Sequence, residues 1–200
     1  MITPIFLLNF VMYVIVPIVA TWELRGILFP ADSPNPLAKG IYTDFNSNWF
    51  IDAGYSIITT MTLNIFMPLV EFALGWVVRY LKRAWDQRSF SPGNYYQTHC
   101  NSIQEFIEIY SGPEFFIYHK YSYILTVVFV AFMFGPLMPC LFLIALASLF
   151  CQYTVEQLAM AYAYRKPPMY DGQINDHILK FLSFASPFYA LMAIWVYSNQ

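Results

Sequence analysis

Residues 121–155 read YSYILTVVFVAFMFGPLMPCLFLIALASLFCQYTV, 35 positions without one Asp, Glu, Lys or Arg. About 20 residues of helix cross a hydrocarbon core roughly 30 Å thick. As one helix this stretch would run about 52 Å at 1.5 Å per residue, more than a tilted crossing uses. Its centre holds Gly135-Pro136-Leu137-Met138-Pro139. Each proline lacks an amide donor and disfavours helix in the residue before it. The stretch therefore reads as two crossings, near residues 119–135 and 139–162, joined by a tight turn on Gly135, Pro136 and Pro139. The competing geometry is a single kinked and steeply tilted helix.

Flanking charges separate the two geometries. Arg79, Lys82, Arg83, Arg88 and Lys120 precede the stretch, and Arg165 and Lys166 follow it. Two crossings return the chain to the side it left, so both basic segments share one face, as the excess of Lys and Arg in cytoplasmic loops requires. Three further spans lie near residues 3–23, 50–79 and 178–198. The first follows no basic segment and precedes no small-residue cleavage pattern, so it reads as a retained span rather than a signal peptide. Five spans place the amino terminus in the cytoplasm and the carboxyl terminus outside. Trp22, Trp49, Trp76 and Trp195 fall near the span ends, where amphipathic rings meet headgroups.

Between the second and third spans, residues 80–118 form a cytoplasmic loop. Within it Ile103, Phe106, Ile107 and Tyr110 share one face of a short amphipathic helix. Asp44 to Asn48 offer capping residues ahead of Trp49. Ser91-Pro92-Gly93 and the segment from Arg165 to Gly172 read as turns. The expected fold class is all-α: a polytopic transmembrane helix bundle of about five spans, with one Gly/Pro-turned hairpin, forming a single membrane domain over residues 1–200.

Composition agrees with this layout and removes several function classes. Hydrophobic residues make up 58% of the 200 positions and charged residues 11%, against about 25% charged in soluble domains. The net charge of -2 comes with no basic block for nucleic acid. Cys100, Cys140 and Cys151 are an odd count, two of them in an apolar run, and do not describe a disulfide framework. His99, His119 and His177 are scattered and form no zinc or haem ligand set. Asp171, Asp176 and Glu156 read as solvated carboxylates rather than a calcium site. With no phosphate-binding loop and no nucleophile motif, the expectation is a non-enzyme without cofactor or metal.

The second span carries the pattern with functional content. Ser56, Thr60 and Asn64 recur every four residues and Glu71 follows, so they stack on roughly one helical face. Pro68 lies between Asn64 and Glu71, where it releases the Asn64 carbonyl from its helical bond and permits a kink. A polar stripe ending in a carboxylate can line a water-filled path and attract cations. The same residues also suit a structural role, with hydroxyls bonded to their own helix and Asn joining two helices.

Three stretches carry a family resemblance. They are Phe45-Asn46-Ser47-Asn48-Trp49-Phe50-Ile51-Asp52-Ala53-Gly54, then Ile109-Tyr110-Ser111-Gly112-Pro113-Glu114-Phe115 before Tyr121-Ser122-Tyr123, and Gly135-Pro136-Leu137-Met138-Pro139 followed by Tyr162-Ala163-Tyr164-Arg165. The arrangement resembles the second half of the membrane region of the hyperosmolality-gated, mechanosensitive cation channels and their animal relatives, which are related to the anoctamins. The resemblance implies that residues 53–78 correspond to a bent pore helix, with Thr60, Asn64, Pro68 and Glu71 at pore or gate positions. It also implies partner helices, since the family pore uses spans that precede this segment.

Two functions are therefore expected as alternatives. One is part of a mechanically or osmotically gated cation channel. The other is a non-catalytic accessory subunit of a large membrane complex, such as a respiratory assembly. Both place the chain in a plasma or organellar membrane, the mitochondrial inner membrane under the second, with lipids and further transmembrane chains as partners and no nucleic acid.

Overall fold

A computed structural model describes residues 2–15, 42, 46–86, 100, 102–165 and 172–198. Helix α1 comprises Ile2–Phe10 and continues through a π-helical turn, Val11–Ile15. Helix α2 spans Ser47–Asp86 and includes a second π-helical turn, Phe50–Gly54. Then follow α3 (Ile103–Tyr110), α4 (Ile117–Phe134), α5 (Cys140–Tyr162), α6 (Gln173–Ser183) and α7 (Ala185–Ser198). Among the described residues there is no sheet, only an isolated bridge at Tyr42.

Among the described residues, four helical stretches are long and apolar enough to cross a membrane: Ser47–Asp86, Ile117–Phe134, Cys140–Tyr162 and Ile174–Ser198. Thr3–Ile15 is a shorter apolar helix; the rest of the first expected span, residues 16–23, lies outside the described residues. The chain is an all-α, polytopic membrane helix bundle. Its last spanning stretch is broken at Phe184, where α6 hands over to α7. Helix α6 is the amphipathic half, with Asp176 in its first turn and Lys180 in its last, and α7 is uniformly apolar.

The chain divides into two compact units. The first contains residues 1–65, 117–149 and 171–200. Here α4 is central, packing against α1, α6 and α7. Val14, Trp49, Ala53, Ile57, Met61, Val127, Val130, Ala131, Phe134, Met138, Leu141 and Ala145 form one buried cluster. Phe129 anchors a second, its ring 5.0 Å from Phe6, 6.1 Å from Phe10 and 6.0 Å from Phe188. Lipid tails are as apolar as these side chains, so close packing rather than water exclusion holds such helices together. Edge-to-face rings add to that packing.

Residues 135–139 end α4 and start α5. Leu137 and Met138 donate their amides to the Phe134 carbonyl at 3.1 and 2.9 Å, closing the turn on the α4 terminus. A Cβ at Gly135 would stand 2.4 Å from Phe142 Cζ and 2.7 Å from the Ala131 carbonyl oxygen, so only glycine fits there. Pro139 immediately precedes Cys140, a helix-start position where its missing donor costs nothing.

The second unit contains residues 66–116 and 150–170. The segment leading into α4 meets the segment leaving α5: Arg165 donates its amide to the Pro113 carbonyl at 3.2 Å, and the Phe115 and Tyr164 rings are 5.2 Å apart, edge to face. Arg79 binds the Ala163 carbonyl through Nη1 at 2.6 Å and the Gly75 carbonyl through Nε at 2.9 Å. Arg83 Nη2 reaches the Tyr110 carbonyl at 3.1 Å. Arg79, Lys82, Arg83 and Arg165 lie in this unit, and Lys120 in the first. The expected turns at Ser91-Pro92-Gly93 and at 166–171, and Arg88, His99 and Lys166, fall outside the described residues.

Candidate functional site

Along α2 the five stripe residues occupy different environments. Ser56 is exposed, Thr60 half-buried, Asn64 and Pro68 buried, and Glu71 exposed. Thr60 Oγ1 donates to the Ser56 carbonyl at 2.8 Å and Thr62 Oγ1 to the Ile58 carbonyl at 2.7 Å. Both hydroxyls are thus bonded within their own helix, as threonines in apolar surroundings commonly are.

Pro68 removes the amide that would close on the Asn64 carbonyl. That carbonyl is bonded all the same: the Tyr123 hydroxyl of α4 donates to it at 2.5 Å. Tyr123 has a single hydroxyl proton, so its oxygen accepts from Ser148 Oγ of α5, 3.0 Å away. A chain of two hydrogen bonds therefore ties α2, α4 and α5 at one level. Tyr123 lies eleven residues before the end of α4 and Ser148 eight after the start of α5, a register that only an antiparallel hairpin supplies. Asn64 is 8% exposed and Ser148 fully buried, so no water competes for this chain.

Beside this junction a pocket of about 380 Å³ opens between α1, α2 and α4. Ser56 and Thr60 line it together with Asn9 and Tyr13 of α1, and Ile57, Met61, Met12 and Val130 complete the wall. Met12 and Tyr13 belong to the π-helical turn of α1; such turns shift the register of the side chains that follow and concentrate at functional positions. Asn64, Pro68 and Glu71 do not line this pocket. The geometry therefore brings Ser56 and Thr60 together with two polar residues of another helix, places Asn64 in a bonded junction, and leaves Glu71 further along α2.

Asn9, Tyr13, Tyr123 and Ser148 are absent from the stripe as read from sequence. A proline inside a span does signal that some neighbouring helix must supply a donor to the carbonyl four residues back. Many polar residues of α4 and α5 could have served, Ser122, Thr126, Ser148 and Gln152 among them, and only the packing register selects Tyr123. Ser122 and Thr126 instead bond their own helix, at the Tyr118 and Ser122 carbonyls.

At the start of α2, Asn46 sits in the cap position with extended backbone, and its side chain makes no capping bond. The Tyr42 hydroxyl donates to Asp52 Oδ2. That bond to the carboxylate, with a smaller contribution from its charge, holds the Tyr42 phenol above its ordinary value of 10.0. No cluster of three or more His, Cys, Asp or Glu suited to a metal occurs among the described residues. Comparison with family models, curated proteins and solved structures finds no match to this chain.

Proposed function

We propose that this polytopic membrane protein forms part of a mechanically or osmotically gated cation channel, with α2 as its bent, polar-faced helix. The supporting observation is the pocket in which Ser56 and Thr60 of α2 face Asn9 and Tyr13 of α1. Hydroxyl, amide and phenol groups around one opening in an apolar bundle supply the oxygen ligands that a partly dehydrated cation accepts. Glu71, exposed on the same helix, supplies the charge that favours cations over anions. The resemblance of residues 45–54, 109–115 and 135–139 to the hyperosmolality-gated channel family points the same way. Further transmembrane chains or segments would complete the groove.

In this reading Pro68, inside a continuous helix, is the point of weakness and the Tyr123 bond its latch. A helix whose i−4 carbonyl is held by a neighbour can change its bend by exchanging one hydrogen bond, a cost on the order of 1 kcal/mol. The test is patch recording from liposomes containing the full chain with any copurifying partners. Stretch-activated cation current that falls severalfold in Asn64→Leu/Glu71→Leu supports the proposal. Current of unchanged size and selectivity in that variant contradicts it.

The alternative is an accessory subunit of a larger membrane complex, respiratory assemblies included. It is favoured by the hydroxyl of Thr60 being bonded to its own helix. Stoichiometric recovery with redox subunits after gentle detergent extraction, together with silent patches, would decide for it.

A further inference from the structure

Helix α3 begins at Ser102, whose side chain accepts from the Glu105 amide at 3.2 Å, and none of its eight residues is buried. Ile103 is 81% exposed, Phe106 42% and Ile107 41%. With Tyr110 they recur at the i, i+3, i+4, i+7 spacing of one face, while Gln104, Glu105 and Glu108 occupy the other. Phe106 and Tyr110 stack at 4.5 Å, which stiffens the apolar face.

Its position is fixed by the last two turns of α2. The Tyr110 hydroxyl donates to Asp86 Oδ2 at 2.9 Å, its carbonyl accepts from Arg83, and the Arg83 guanidinium lies 5.7 Å over its ring. Asp86 is buried and also accepts from the Cys100 thiol at 3.2 Å. These turns of α2 expose Tyr80, Leu81 and Trp85, the last 86% exposed, among Arg79, Lys82 and Arg83. Exposed aromatic and basic residues together at the end of a spanning helix mark the headgroup layer. On its other side α3 is six residues from the start of α4, across a segment that exposes Phe116.

We propose that α3 lies in the membrane interface, with Ile103, Phe106 and Ile107 inserted among the lipids as a continuation of the exposed Tyr80, Leu81 and Trp85. The occupant of this face is a zwitterionic phospholipid surface. Interfacial helices that seek anionic lipid carry Lys and Arg on their polar face; α3 has neither, and its Glu105 and Glu108 are repelled by a negative surface. This inference needs only the chain's membrane residence and stands or falls apart from channel activity.

The experiment places a nitroxide on the full chain in phosphatidylcholine nanodiscs, one site at a time from 103 to 108, with Cys100, Cys140 and Cys151 replaced by Ala. Retained thermal stability of that background shows that the fold is kept. Accessibility to oxygen, which partitions into lipid, is compared with accessibility to a water-soluble nickel complex. The expected result is oxygen preference at 103, 106 and 107 and nickel preference at 104, 105 and 108, with the lipid-side labels moving outward in phosphatidylserine-rich discs. Nickel access at every site overturns the proposal. Exclusion of both reagents at 103, 106 and 107 overturns it in favour of a protein partner, and unchanged or deeper labels in phosphatidylserine overturn the zwitterionic assignment.

Discussion

The Tyr123 hydroxyl and the Asn64 carbonyl stand 2.5 Å apart, joining α4 to the carbonyl of α2 that Pro68 leaves without its helical partner. A proline in a spanning helix leaves one polar backbone group that lipid cannot satisfy. Here the neighbouring helix satisfies it, and Ser148 in turn holds the tyrosine.

Tyr123→Phe should cost about 0.6 kcal/mol and at most about 1.7, the mean and maximum measured for interhelical hydrogen bonds in membranes. Pro68→Ala restores the amide at 68 and gives the Asn64 carbonyl a partner within its own helix. The cost of Tyr123→Phe should therefore shrink in the Pro68→Ala background. A double-mutant cycle by unfolding in detergent checks this; equal costs in both backgrounds would show that the Tyr123 bond does not serve the proline.

Three glycines should respond in opposite directions. A Cβ at Gly112 would stand 2.1 Å from the Ala163 carbonyl oxygen and 3.0 Å from the Arg165 amide nitrogen, both backbone atoms that cannot step aside. Gly112→Ala and Gly135→Ala should each destabilise by about 1–3 kcal/mol. At Gly75, inside α2, an added Cβ meets nothing within 4 Å. Gly75→Ala should gain about 0.5–1 kcal/mol from helix propensity. Thermal unfolding of the three variants reads all of this.

Arg79→Gln removes the charged donor that reaches the Ala163 carbonyl at 2.6 Å. The side chain is half-exposed, so the loss should be about 1 kcal/mol. Its signature is local: faster amide exchange at 163–165, with the α4–α5 turn unchanged.

The Tyr42 phenol should titrate above its ordinary value, because losing its proton breaks the bond to Asp52 and sets two negative charges side by side. A raised folded value means that this contribution to stability is complete below pH 10.0 and disappears as pH rises through the folded value. Ring-carbon NMR of labelled tyrosines, with Tyr42→Phe for assignment, should show the resonance shift back toward 10.0 in Asp52→Asn.

The fold was legible in the sequence to the extent that lipid imposes it. The run at 121–155 is too long for one crossing and too proline-rich at its centre to be one, and α4 and α5 stop and start there. Pro68 announced an unsatisfied carbonyl at Asn64. The residue that satisfies it was hidden, because Tyr123 is one of many aromatics and its selection depends on how α4 registers against α2. Tyr13 was hidden for a related reason: it sits in a π-helical turn, and no spacing in an apolar run betrays one; Asn9, before that turn, depends on how α1 registers against α2. The break at Phe184 also escapes a hydropathy reading, since Phe181 and Leu182 before it and Ala185 after it are all apolar.

The most direct test concerns sidedness. With the native cysteines replaced, single cysteines at Glu114, at Pro139 and at Arg165 are challenged with a membrane-impermeant maleimide in vesicles of known orientation. The double crossing predicts that 114 and 165 label from the cytoplasmic face and 139 from the opposite one. Labelling of 114 and 165 from opposite faces would contradict the hairpin, and with it the bundle built around α4.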